Sequence, residues 1–152
     1  MDKEIIFHSR SAEETVKLGE EFAEKYLHSG SLVVLRGELG AGKTQFTKGV
    51  AHFFGLREDE ISSPTYALVN EYEIPPGGVH DVIISRLYHL DCYRFEKPEE
   101  LIELGIEEYL YPTHAVTLIE WPERIEAFLP EKRIEVMIEV VSVNVRKFTV
   151  SF

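Results

Sequence analysis

The chain has 152 residues, 44% of them hydrophobic and 11% aromatic, which is enough apolar material for one globular core and too little for a second. Its single cysteine, Cys92, excludes an intramolecular disulfide, and no stretch approaches the ~18 apolar residues of a membrane helix, so we expect one domain, residues 1–152, in a soluble cytoplasmic protein without a membrane partner. The formal net charge of −11 opposes nonspecific attraction to a nucleic-acid backbone.

The amino-terminal part predicts a strand, a helix, a second strand and a second helix. Ile5–Phe7 is a short apolar run, and Ser11 followed by Glu14 forms a capping box that begins a helix. The apolar run at residues 32–35 is typical of a buried strand. Apolar residues at helical spacing then continue to Gly55, where we expect the second helix to end.

The middle of the chain predicts two extended segments and a short helix. A loop leads into the run at residues 66–72, and the Pro-Pro-Gly-Gly sequence at residues 75–78 breaks it. A second extended run ends in the polar cluster at residues 89–94. Pro98 predicts the start of a short helix, whose apolar positions include Leu101, Leu104 and Leu110.

The carboxyl-terminal part predicts a central strand followed by an edge. Residues 115–119 form a near-continuous apolar run, which suits a parallel strand covered on both faces. Branched apolar residues alternate with Glu135, Met137 and Glu139 over residues 134–140, and apolar residues alternate with polar ones over 148–152. This alternation predicts an antiparallel tail with one solvated face, and together the segments predict an α/β fold.

The most specific motif is the glycine-rich segment at residues 37–44, GELGAGKT, directly after the buried strand. It fits the phosphate-loop pattern G-x-x-x-x-G-K-[ST] in its strand-then-helix context. Backbone N–H groups of such a loop face phosphate oxygens, and the next helix adds the positive end of its dipole. We therefore expect a nucleoside triphosphate here, with Lys43 at the β and γ phosphates and the Thr44 hydroxyl in a Mg²⁺ shell.

Two carboxylates follow apolar runs, where strand ends of this fold class face the nucleotide. Glu120 has the placement of a Walker B acid, and Asp91 ends the other run. We assign Glu120 to the metal, directly or through water, and Asp91 to orienting or deprotonating the attacking water. The reverse assignment stays open, as does a purely structural role in which either acid caps a helix or pairs with Arg94.

Three further residues have both a functional and a structural interpretation. Thr65, in a Ser-Pro-Thr loop, is a candidate switch residue whose hydroxyl reaches the γ-phosphate, or an ordinary loop threonine. Trp121 stacks on the nucleotide or a partner, or packs half-buried. For His89 the pattern favours a satisfied strand histidine over a catalyst.

Five blocks in this order resemble the bacterial TsaE family, formerly called YjeE. They are GELGAGKT at 37–44, SPTYALV at 63–69, HLDCYR at 89–94, the pairs Glu100-Leu101 and Leu104-Gly105, and IEWPE at 119–123. The stretch at residues 73–86 is longer than the family's usual link and suggests an elongated hairpin.

The resemblance implies a phosphate-loop NTPase-like domain with a central parallel sheet, antiparallel edge strands and helices on both faces. It implies an ATPase that uses ATP and Mg²⁺ and acts with TsaB and TsaD to form threonylcarbamoyl-adenosine (t6A) beside the anticodon of tRNA. The implied site comprises nucleotide-binding Leu39, Gly40, Ala41, Gly42, Lys43 and Thr44, magnesium ligands Thr44 and Glu120, functional acid Asp91, and Ser11 and Ala12 near the adenine.

Other function classes compete with this interpretation. Many small-molecule kinases are phosphate-loop proteins of this size, but we find no arginine-rich lid between the last two strands. A GTPase usually carries an Asn/Thr-Lys-x-Asp block, which is missing from the sequence. A nucleotide-dependent assembly module without useful turnover remains open, because a stabilising cation for catalysis can come from a partner.

Overall fold

The computed structural model describes residues 3–62, 69–77, 83–97 and 99–152. Within these ranges the strands are β1 (Glu4–Ser9), β2 (Leu32–Arg36), β3 (Val69–Glu73), β4 (Arg86–Asp91), β5 (Ala115–Glu120), β6 (Ile134–Val140) and β7 (Arg146–Ser151). The helices are α1 (Ala12–Tyr26), α2 (Lys43–Phe53), α3 (Glu99–Glu103) and α4 (Ile106–Leu110), with 3₁₀ turns at Glu58–Glu60 and Pro122–Phe128. None of the helices in these ranges is long and apolar enough to cross a bilayer.

All seven strands belong to one sheet, in the order β1, β7, β6, β2, β5, β4, β3. The central strands β6, β2, β5 and β4 are parallel to one another. The edge pairs β1–β7, β6–β7 and β3–β4 are antiparallel. The sheet thus confirms the predicted α/β fold with a parallel centre and antiparallel edges, and the β3–β4 pair confirms the predicted hairpin.

Two details differ from the sequence predictions. β6 was expected in an antiparallel tail, but it lies parallel to β2, and only its other neighbour, β7, is antiparallel to it. Alternation shows which strand face is buried and carries no information on strand direction. The helix expected from Pro98 to Leu110 is two short helices divided at Gly105, whose φ of 66° is left-handed. Pro98 itself lies outside the described residues.

The core occupies both faces of the sheet. Val33 and Leu35 of β2 pack in a cluster with residues of α1 and α2, whereas Leu32 and Val34 pack in a second cluster with residues of α3 and α4. Successive side chains of a strand point to opposite faces, so β2 contributes to both clusters. This arrangement confirms that helices cover both faces.

The helices α1 and α2 approach each other at backbone distance. A Cβ atom placed on Gly49 would lie 1.9 Å from the carbonyl oxygen of Val16, and one on Gly19 would lie 2.3 Å from that of Phe46. No side chain fits at either position. The helix that follows the glycine-rich loop is therefore held tightly against α1.

Candidate functional site

The loop at residues 37–42 joins β2 to α2 through left-handed glycines. Gly40 has a φ of 79° and Gly42 a φ of 114°, conformations that favour glycine over any residue with a Cβ. The amide of Ala41 donates to the carbonyl of Glu38 at 3.0 Å, which closes a tight turn. Gly42 caps α2 without a side-chain hydrogen bond, and the first turn of the helix carries no acidic residue. The positive end of the helix dipole therefore meets no carboxylate from its own first turn.

Lys43, the first residue of α2, is folded back over the loop. Its side chain is buried, and Nζ donates to the carbonyl oxygens of Gly37 and Glu38. The same Nζ lies 3.7 Å from the ring centroid of Trp121, within cation–π range. Burial lowers the pKa of Lys43, while nearby carboxylates, chiefly Glu120, act in the opposite direction. Positive charge is thus concentrated where the loop meets the helix.

The two predicted acids are neighbours. Asp91 ends β4 and Glu120 ends β5, and the two residues are paired in register across these parallel strands. The Cys92 amide donates to the Glu120 carbonyl at 3.0 Å, which extends the pairing by one bond. The carboxyl ends of β4, β5 and β2 lie along one edge of the sheet, so the acids stand beside the loop that leaves β2.

Asp91 is partly buried at this edge. Its Oδ1 accepts a hydrogen bond from the amide of Tyr93 at 3.0 Å. Burial raises the pKa of Asp91, the Tyr93 hydrogen bond lowers it, and the negative charge of Glu120 raises it further, with a net upward shift. A raised pKa brings a carboxylate closer to the range in which it exchanges protons with water.

Glu120 is held by a histidine of the neighbouring strand. The Nε2 atom of His89 lies 2.6 Å from Oε2 of Glu120, and both side chains are buried. Within the described ranges, Nδ1 of His89 has no hydrogen-bond partner. The sequence pattern favoured a satisfied strand histidine, and the structure bears this out for Nε2 only.

Trp121 adopts an unusual backbone conformation beside these acids. Its φ of 55° is left-handed, which is uncommon for a bulky residue. The indole contacts the Lys43 ammonium on one side, and its centroid lies 4.9 Å from that of Tyr93. The structure therefore brings a half-buried Trp121 to the loop lysine, a contact that the sequence did not indicate, and stacking on the nucleotide stays a prediction.

The amino terminus of α1 lies against the same loop. Oγ of Ser11 accepts a hydrogen bond from the Glu14 amide at 3.0 Å, the predicted N-cap contact, and Ala12 is the first residue of the helix. A Cβ on Gly42 would be 3.8 Å from a methyl group of Thr15, one turn into α1. The first turn of α1 thus lies beside the loop, whereas Thr65 falls outside the described residues.

Sequence reasoning missed one contact at the loop. Arg146 of β7 donates from Nε to the carbonyl of Ala41 at 3.1 Å, although 105 positions separate the two residues. Arg146 belongs to no motif, because the residues around it in the sequence predict only an edge strand. The sequence offered a weak indication of the His89–Glu120 pair. His89 lies two residues before Asp91, so the two side chains are on the same face of their strand.

Comparison with known proteins identifies the chain's relatives. A family model described as "Threonylcarbamoyl adenosine biosynthesis protein TsaE" matches residues 9–148. The chain belongs to the TsaE family. Two relatives named tRNA threonylcarbamoyladenosine biosynthesis protein TsaE are similar to it, one from Treponema pallidum (39% identical; 94% of this chain and 97% of the relative) and one from Bacillus subtilis (35%; 97% and 85%).

A solved structure shares the fold of this chain. The crystal structure of Bacillus subtilis YdiB superposes with a TM-score of 0.73 at 30% identity, covering 99% of this chain and 86% of YdiB. The five motif blocks therefore identified the TsaE family correctly, and the similarity to YdiB confirms the fold class. The roles of the individual site residues stay predictions.

Proposed function

We propose that this TsaE family member is a Mg²⁺-dependent ATPase, slow alone and activated by TsaB and TsaD, that serves t6A formation in tRNA. The names of its relatives support the pathway. The ATPase proposal rests on one arrangement. The phosphate-loop lysine, Lys43, begins α2 and lies beside Asp91 and Glu120, which are paired at the ends of β4 and β5.

The loop suits a phosphate group. The start of α2 has neither a side-chain cap nor an acid in its first turn, and left-handed Gly40 and Gly42 keep Cβ atoms out of the loop. We assign the phosphates to Leu39, Gly40, Ala41, Gly42, Lys43 and Thr44, and the base to the neighbourhood of Ser11 and Ala12. The Trp121 ring beside Lys43 adds an aromatic surface at this position.

The residues also suit a magnesium ion shared with the nucleotide. Within the described ranges no three His, Cys, Asp or Glu side chains form a cluster that would hold a metal alone. Mg²⁺ at nucleotide sites typically takes one or two protein ligands plus phosphates and water, and Thr44 and Glu120 would be those ligands. Bound Mg²⁺ supplies charge neutralisation on the phosphates.

The chain's own groups then have distinct tasks. His89 is hydrogen-bonded to Oε2 of Glu120, and we assign the other oxygen, Oε1, to the metal. Asp91 engages the Tyr93 amide through Oδ1, and its other oxygen orients a water or accepts its proton. Lys43 must exchange its loop carbonyls for phosphate oxygens. In this proposal tRNA is held by the partner proteins, because a net charge of −11 opposes direct binding.

The first experiment measures ATP hydrolysis by the purified protein, alone and with TsaB, TsaD and tRNA, together with the t6A formed per ATP consumed. We expect Mg²⁺-dependent hydrolysis that rises with the partners, and t6A that needs Lys43. Asp91→Ala should retain ATP binding by calorimetry and lose turnover. Hydrolysis without stimulation or t6A would refute the pathway role, and absence of ATP binding would refute the ATPase.

A further inference from the structure

Arg146 connects the last hairpin of the sheet to the phosphate loop. Its guanidinium donates from Nε to the carbonyl of Ala41 at 3.1 Å and from Nη2 to that of Gly40 at 3.5 Å. Nη1 donates to three carbonyls of the β6–β7 turn, those of Ser142, Val143 and Val145, at 3.0–3.3 Å. Among the described residues, its hydrogen-bond acceptors are all backbone carbonyls.

This contact orients a peptide plane of the loop. The described backbone has no cis peptide, so the carbonyl of Ala41 and the amide N–H of Gly42 point in opposite directions from the same plane. Because Nε of Arg146 holds that carbonyl, the Gly42 N–H is directed to the side of the loop opposite Arg146. In a phosphate loop, amides of this segment are the phosphate donors.

The neighbouring contacts hold the two ends of this peptide but not the Ala41 carbonyl itself: the Ala41 methyl group is buried in the core, and the Gly42 carbonyl accepts from the Phe46 amide at 3.0 Å. Gly40 and Gly42, on either side of Ala41, have the widest conformational freedom of any residue type. The Ala41 amide donates to the Glu38 carbonyl, and the Ala41 carbonyl accepts from Nε of Arg146. The guanidinium suits this task because its five donors form a rigid planar fork that spans two chain segments.

We propose that Arg146 is a positioning residue for nucleotide binding, which keeps the 41–42 peptide in the orientation that presents the Gly42 amide to phosphate. The inference rests on the proposed function for the identity of the ligand. It does not involve contact between Arg146 and the nucleotide. The β6–β7 hairpin, remote in sequence from the motif, thereby contributes to the affinity of the loop.

The test compares Arg146→Ala and Arg146→Lys with wild type. Calorimetry gives the Kd for ADP and for ATP with Mg²⁺, and hydrogen exchange without nucleotide reports on amides of residues 37–44. We expect Arg146→Ala to weaken binding about tenfold and to speed exchange selectively in the loop, with Arg146→Lys intermediate. Lys147→Ala is the matched control, since its side chain points to the opposite sheet face and should leave both readouts unchanged.

The outcomes separate the two proposals. Unchanged affinity and loop exchange in Arg146→Ala would overturn the positioning role, as would an exchange increase no larger in the loop than in β2 and β5. A wild-type protein that binds no ATP would refute the proposed function. Even in that case, the hydrogen-exchange rates of wild type and Arg146→Ala would show whether Arg146 orders the loop.

Discussion

The imidazole of His89 and the carboxylate of Glu120 share a 2.6 Å hydrogen bond between Nε2 and Oε2 across two parallel strands, with both side chains withdrawn from solvent. A buried carboxylate without a partner is costly, and this bond offsets the cost. It also constrains the orientation of the Glu120 carboxylate. One strand histidine thus links stability of the sheet to the orientation of the proposed metal ligand.

We expect His89→Ala to lower the free energy of unfolding by about 3 kcal/mol, because the variant leaves the buried carboxylate of Glu120 without its hydrogen-bond partner. Urea unfolding at pH 7 measures the change. The double variant His89→Ala/Glu120→Gln should lose less than His89→Ala alone, since no charge is then buried. His8→Ala, at an exposed histidine of β1, is the control. Equal losses in the single and double variants would contradict this account.

We expect Lys43→Ala to abolish ATP hydrolysis while the protein stays folded. Trp121 is the only tryptophan and lies 3.7 Å from the Lys43 ammonium, so removal of that charge should change tryptophan emission without nucleotide. Steady-state fluorescence and a hydrolysis assay measure the two effects. Lys48→Ala, in the same helix, should change neither. Unaltered emission in Lys43→Ala would argue against the cation–π contact.

Gly49→Ala should destabilise the protein by about 3 kcal/mol or more. The new methyl group would overlap the Val16 carbonyl, which is backbone and cannot rotate away. The measurement is thermal and urea unfolding, with Gln45→Ala of the same helix as control. Stability equal to that of the control would mean that α1 and α2 can separate at little cost.

Glu135 predicts a pH dependence of stability. Burial tends to raise the pKa of Glu135, but hydrogen bonds from Arg36 and Arg133, at 3.0 and 2.9 Å, outweigh it and lower the pKa. Because the folded pKa lies below the ordinary 4.5, the stabilisation is present above about pH 4.5 and is lost as the pH falls through the folded value.

Glu135→Gln should therefore cost about 1 kcal/mol at pH 7 and progressively less below pH 4.5. Unfolding curves at a series of pH values measure the difference from wild type. Glu139→Gln, at an exposed position of the same strand, should show no such trend. A loss that persists unchanged at low pH would mean that charge does not account for the role of Glu135.

Much of this architecture was predictable because local patterns determine it. The apolar run at 32–35, the phosphate-loop glycines and the acids at strand ends each follow from rules that act within a few residues. The pairing of Asp91 with Glu120 was predictable once both were placed at ends of parallel strands.

The remainder depends on contacts between distant segments. The direction of β6 depends on its neighbour β2, and no local signal carries that information. Arg146 reaches Ala41 across 105 positions, and its role follows only from the sheet order. Likewise, the spacing of glycines in α1 and α2 gave no indication that Gly19 and Gly49 bring these two helices to backbone contact.

The edge of the sheet also determines when the molecule can be completed during synthesis. Among the described strands β1 has one neighbour, β7, and Glu4 pairs with Ser151. β1 therefore leaves the ribosome well before its partner β7, and the ends of so long a loop are costly to bring together. A nascent chain that already contains the phosphate loop and both acids still lacks the partner strand of β1 and the Arg146 contact to the loop until β7 has been made.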